Sequence, residues 1–157
     1  MAFGANSKIF TTFLRDSLNN TASHNPAVLA DSIKLALYGN SGTPDQTVAN
    51  TLTGYNQATS QWVVANEVTA TGWPAGGLVL ASVASSFATN VYTFTAANRA
   101  GGATDTVTNA YGCLIYDNSI ATFLDGLCYL SFNGANSVTS GTFTVVFAGT
   151  GIFTITA

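Results

Sequence analysis

The sequence predicts a mainly β protein, an antiparallel β-sandwich or flattened barrel with one amino-terminal α-helix. Short runs rich in Val, Thr, Phe and Tyr recur along the chain and are separated by Gly, Asn, Asp and Ser, the pattern of strands punctuated by turns. In the last third the apolar residues alternate strictly: Phe143, Val145 and Phe147 share one face, and Phe153, Ile155 and Ala157 repeat the pattern. Only the stretch near the amino terminus has apolar residues at three- and four-residue spacing. At 157 residues the chain suits one core, organised as a helical arm over residues 1–30 and a sandwich domain over residues 31–157.

Asn6 or Ser7 is read as the N-cap of the helix, with Ile9, Phe10, Phe13, Leu14 and Leu18 following along one face. Asn19-Asn20-Thr21 ends it, through an Asn that tolerates the left-handed region. The polar side lacks the cationic richness of membrane-surface helices, so the apolar stripe is expected to pack on the sheet. Residues 27–30 read as one helical turn and residues 31–38 as a strand with Ile33, Leu35 and Leu37 on one side. Residues 39–44 are a loop, and Asp45 is a candidate cap for a brief helical segment. Residues 51–61 are Thr, Asn, Gly, Gln and Ser in the main and are expected to form an exposed excursion, of the kind that often binds something.

A strand is expected to begin at Glu67 and to break at Thr71-Gly72-Trp73-Pro74-Ala75-Gly76-Gly77, a shaped turn built on an aromatic, a proline and three glycines. Further strands are read over residues 78–80, 91–95 and 106–108, and four clearer ones over 111–116, 127–132, 142–147 and 152–157. The last of these needs a pairing partner, so trimming it is expected to harm the fold.

Four Lys/Arg and seven Asp/Glu are all the formal charge in the chain, 7% of residues where about 25% is usual. Glu67 is the one glutamate and His24 the one histidine, which leaves little for general acid–base work; His24 sits in a polar turn and reads as an exposed loop histidine. Cys113, Cys128 and His24 do not have the spacing of zinc ligands, and the glycine-rich stretches match neither a P-loop nor a dinucleotide fingerprint. No catalytic residue, cofactor or metal is expected. The basic residues Lys8, Arg15, Lys34 and Arg99 are dispersed, so nucleic acid is not an expected partner. The absence of a long uninterrupted apolar run argues against a membrane span, and the first residues do not read as a secretory signal. Synthesis in a cytoplasm fits both cysteines being reduced core residues, and they would approach if their segments formed a hairpin. A surface of Thr, Ser, Asn, Ala and Gly is weakly protected against association, which suits a homo-oligomer or a protein covered by other subunits.

Three segments in order carry a resemblance: Lys34-Leu35-Ala36-Leu37-Tyr38, Glu67 through Gly77, and Ala110-Tyr111-Gly112-Cys113-Leu114-Ile115-Tyr116-Asp117, followed by Leu130-Ser131-Phe132 and Ser140-Gly141-Thr142-Phe143-Thr144-Val145-Val146-Phe147. Over residues 31–157 the chain resembles a widespread group of small tailed-bacteriophage virion proteins. It departs from that group's pattern at Trp73-Pro74, where a Tyr is usual, and at Tyr111-Gly112-Cys113, where Arg-Gly-Ala is usual and a charge is therefore lost. The resemblance implies a virion structural protein, foremost a capsid decoration (cement) protein bound to the major capsid protein on the shell surface. A tail tube or connector subunit and a host-surface carbohydrate-binding module, with Tyr55, Trp62, Trp73 and Tyr92 as stacking platforms, are the alternatives. Candidate contact residues are Phe10, Phe13 and Arg15 in the amino-terminal segment and Asp45, Tyr55 and Trp62 in and beside the loop over residues 43–61.

Overall fold

The computed structural model describes residues 6–20, 24, 29–119 and 124–156. Within them the elements run β1 (Lys8–Ile9), α1 (Thr11–Asn19), β2 (Ile33–Tyr38), β3 (Leu78–Val79), β4 (Ala84–Ala88), β5 (Val91–Thr95), β6 (Arg99–Ala100), β7 (Asp105–Asp117), β8 (Gly126–Gly141), β9 (Thr144–Val145) and β10 (Phe153–Thr156). The main sheet has the order β1-β8-β7-β2-β3, a second sheet the order β10-β5-β4, and β6 pairs with β9. Every pairing is antiparallel, and the sheets stack as a sandwich without closing into a barrel.

Side chains alternate across a strand, and the main sheet uses both of its faces. Ile33, Leu35 and Leu37 of β2 share one core with Cys113 and Ile115 of β7 and Cys128 of β8. Ala36 and Tyr38 share the other with Leu114, Tyr116 and Tyr129. The first face packs on the second sheet, where Phe94 and Phe153 stack at 5.1 Å. Among the described residues, the other face is covered by Phe10 and by the segment between β2 and β3, through Tyr55 and Trp62. Burial from both sides is why β2 reads Ile-Lys-Leu-Ala-Leu-Tyr, a nearly continuous apolar run.

The turn before β3 is as shaped as its sequence predicts. Gly77 has φ +67°, and a Cβ there would collide with the backbone of Leu35. Gly72 lies against the backbone of Gly102, and the Asp105 carboxylate accepts hydrogen bonds from both glycine amides, at 2.7 and 2.6 Å. Trp73 is thereby driven into the core, 1% exposed, with its indole N–H donating to the Phe143 carbonyl at 3.2 Å.

Several expectations need correcting. The helix begins at Thr11 and not after Asn6 or Ser7, because Lys8 and Ile9 pair with Tyr129 and Cys128 of β8 and the Phe10 amide donates to Leu127. The Ser7 hydroxyl accepts from the Ser131 amide instead of capping a helix. Leu18 is 86% exposed and lies off the packed stripe, whereas the exit through Asn20, at φ 51°, is as expected. The segment read as an arm thus supplies a strand of the main sheet and a core side chain. Of the helical turn read over residues 27–30, residues 27 and 28 lie outside the described residues, and Leu29 and Ala30 form a turn.

Residues 67–70 do not form a strand; they make only isolated bridges, Tyr38 to Glu67 and Ala70 to Trp73. Residues 51–61 are no exposed excursion, since Thr53, Tyr55 and Ser60 are buried under the sheet's second face. Asp45 caps no helix; its carboxylate accepts from the Thr47 amide and hydroxyl and closes a local turn. The run over residues 142–147 keeps its alternation, but only Thr144–Val145 is laddered. β8 continues through the Asn-Gly-Ala-Asn-Ser stretch that reads as a turn, with bulges taking up the irregularity. Cys113 and Cys128 are free and buried on adjacent strands of a hairpin, and burial pushes both thiols up. His24 is not exposed, for its Nδ1 lies 2.7 Å from the Asp125 carboxylate.

Candidate functional site

The two regions singled out for contacts lie side by side. The Thr11 amide and hydroxyl both donate to the Gln46 carbonyl at 3.0 Å, which fastens the start of α1 to the loop after Asp45. Tyr129 reaches the same loop from β8, its hydroxyl 3.4 Å from the Pro44 carbonyl.

Three of the six candidate residues point inward from that junction. Phe10 is fully buried, edge-on to Trp62 at 6.2 Å and to Tyr129 at 5.5 Å. Trp62 packs edge-on against Tyr38 at 5.0 Å, and its carbonyl accepts from the Tyr38 hydroxyl at 2.6 Å. Tyr55 stacks on Tyr116 with centroids 5.0 Å apart. These rings form one interior layer, and neither they nor Trp73 offers a ring face to solvent for a sugar to stack on. Phe13 is half-buried and edge-on to Phe153 at 6.0 Å. Arg15 and Asp45 are exposed, Arg15 paired with Asp16 at 2.8 Å and Asp45 held low by its two bonds from Thr47.

Glu67 ties the aromatic layer to the shaped turn. One oxygen accepts from the Tyr55 hydroxyl at 2.8 Å and the other from the Gly76 amide at 2.9 Å, while the Tyr116 hydroxyl donates to the Gly76 carbonyl at 2.8 Å. Burial raises the pKa of Glu67 against the pull of those hydrogen bonds and of Lys34. The arrangement holds the fold: both carboxylate oxygens are engaged by the chain itself. Among the described residues, no group of three or more His, Cys, Asp or Glu is placed to hold a metal ion, and no helix is long and apolar enough to cross a membrane.

A second buried carboxylate makes stability depend on pH. Asp117, at the end of β7, accepts from the Ser119 amide at 2.7 Å, yet burial pushes its carboxyl up to about 6, with Asp31 adding to the rise. In the unfolded chain it titrates at about 3.9. Between those values the folded chain holds a proton that the unfolded chain has released. Stability from this group is therefore highest below about pH 4, falls as pH rises to about 6, and is constant above. The expected loss is about 1–3 kcal/mol, and Asp117→Asn abolishes it. Urea midpoints at about pH 4.5 and about pH 7 measure it; Glu67 and Asp125, also raised by burial, keep part of the difference in either protein, and a variant whose difference equals that of the wild type would refute the assignment.

The surface outside these knots is nearly uncharged. Asp16, Asp105, Asp117 and Asp125 are buried, and Lys8, Arg15 and Asp45 alone among the charged residues are exposed rather than half-buried. Large apolar side chains stand out in their place: Phe87 and Val146 are each 68% exposed. A groove of about 450 Å³ where β1, α1, β8 and β10 meet is lined by Ile9, Leu14, Leu130 and Phe153, among others. The sequence reading missed the β4 edge that carries Phe87, because Ala-Ser-Ser-Phe-Ala has little strand propensity; the signal was Asn90 directly before the run Val91–Thr95. Comparison with protein-family models, with curated proteins and with solved structures finds no match to this chain.

Proposed function

We propose that this chain is a virion structural protein of a tailed bacteriophage, a decoration protein that binds the assembled major capsid shell and stabilises it. The observation that carries the reading is the charge-poor surface: four of seven carboxylates are buried, and neutral or apolar groups remain outside. Such a surface solvates poorly when bare and is suited to being covered by neighbouring subunits. The motif resemblance over residues 31–157 supports the same reading. The work is thermodynamic, since a protein that binds only the assembled shell shifts the equilibrium toward it. Contacts through the paired α1 and 43–61 region would use Arg15 and Asp45, the candidate residues exposed there.

Cryo-electron microscopy of the intact virion tests it. Ordered copies spread over the shell are expected, with purified protein co-sedimenting with expanded capsids. Copies confined to the vertex or tail would make the chain a connector or tail subunit, and no copies in the virion would end the proposal.

A further inference from the structure

We infer that β4 is a homodimerisation edge, on which a second copy of the chain pairs antiparallel about a two-fold axis through Ser86. β4 is the outer strand of the sheet β10-β5-β4, and all five of its residues are exposed. Its hairpin with β5 turns through Thr89 and Asn90, both at positive φ (51° and 62°), so Ala88 and Val91 form the closing hydrogen-bonded pair. Alternation then directs the amides and carbonyls of Ala84, Ser86 and Ala88 to β5 and those of Ser85 and Phe87 outward.

That outward set is self-complementary. With two β4 strands antiparallel and centred on Ser86, Ser85 of each copy lies opposite Phe87 of the other. Both residues present free backbone groups there, so four hydrogen bonds form around the axis. Ser86 meets its own symmetry mate in the close, non-hydrogen-bonded position, where a small side chain fits. The two Phe87 rings become diagonal neighbours on one face, within reach of each other, and each loses exposure that is 68% in the single chain.

The identity of the partner follows from what the edge lacks. Natural sheets guard exposed edges with charge, proline or a bulge. β4 has none of these: its register with β5 is uninterrupted, and no charged residue occurs between Glu67 and Arg99. The edge gives a charged partner nothing to recognise, and its register fits an identical strand without a clash. The inference supplies a site for self-association within the proposed function but needs no capsid, so either can fail alone.

Light scattering and sedimentation velocity on the full chain decide it. The wild type is expected near twice its 16.2 kDa mass. Ser86 lies on the face away from Phe94, so lysine or glutamate there leaves the fold intact, which circular dichroism checks. Ser86→Lys and Ser86→Glu should each weaken the dimer at least about tenfold by placing like charges together, and an equal mixture of the two should restore it. Thr139→Lys, exposed on the main sheet, should change nothing. Ser86→Cys should cross-link on mild oxidation, because a Cα separation of about 4.5 Å lies within the disulfide range of about 4.4–6.8 Å. A monomeric wild type, a dimer indifferent to Ser86→Lys, or a β4 edge protected only when capsids are added would each overturn the proposal.

Discussion

Trp73→Ala is expected to cost about 3–5 kcal/mol, the range for removing a large aromatic from a packed core, and so to consume much of a small domain's stability. Trp73 is 1% exposed and packs edge-on against Phe143 at 6.1 Å. It sits where the turn before β3, the Gly101-Gly102 turn and the β9 segment converge, and its indole N–H donates to the Phe143 carbonyl alongside the Gly101 amide. Alanine leaves a cavity and removes one of that carbonyl's two donors, the Gly101 amide remaining at 3.0 Å. Trp73→Phe fills most of the volume and should lose far less, about 1–2 kcal/mol, chiefly the hydrogen bond. Urea unfolding followed by circular dichroism reads both; an alanine variant within about 1 kcal/mol of wild type would mean the turn does not depend on its aromatic plug.

Phe10→Ala should be nearly as damaging, again about 3–5 kcal/mol, although the residue lies only two positions after β1 begins. Its ring is fully buried between Trp62 and Tyr129 and lies so close to Gly126 that a Cβ there would approach it to 2.6 Å. Leu18→Ala, in the helix that follows but 86% exposed, should stay within about 0.5 kcal/mol. The emission of Trp62 gives an independent readout, moving to the red as water reaches the ring that Phe10 covered. Equal stabilities for the two alanine variants would show that the amino-terminal segment is not integral to the core.

The contrast between Phe10 and Leu18 shows what the sequence does and does not make legible. Period-two alternation marks Phe143, Val145, Phe153 and Ile155 correctly, since a strand with one face covered writes that rule directly into its residues. The helical spacing of Ile9, Phe10, Phe13 and Leu14 is equally real but has another cause. Ile9 serves a strand and Phe10 a second core, so the match to one helical face is a coincidence of two elements that meet at Thr11. Long-range pairing overrides local pattern there, and no local window contains β8.

The covering layer was hidden for a different reason. A buried loop must satisfy its backbone, and this one does so with the polar residues that make it read as exposed: the Ser60 hydroxyl donates to the Leu52 carbonyl at 3.1 Å and accepts from the Trp62 amide at 3.0 Å. The candidate residues Tyr55 and Trp62 belong to that layer, and composition alone gave no means of telling a ring that faces a partner from one that faces the chain's own sheet. The β4 edge has the opposite history. The four small or polar residues around Phe87 carry no strand signal, and it became visible only through its pairing with β5.

The pairing of Lys8 and Ile9 with Tyr129 and Cys128 also sets an order in time. At a synthesis rate of about 5–20 residues per second, the ribosome takes on the order of 10 s to make the chain between those two partners. During that interval the side chains of Ile9 and Phe10 have no permanent home. The β7–β8 hairpin, which is local in sequence, can form as soon as it emerges, whereas closing a loop of such length is the slow step of a high-contact-order fold. β1 is therefore made well before its partner but placed late, and its side chains depend on β8 for shelter.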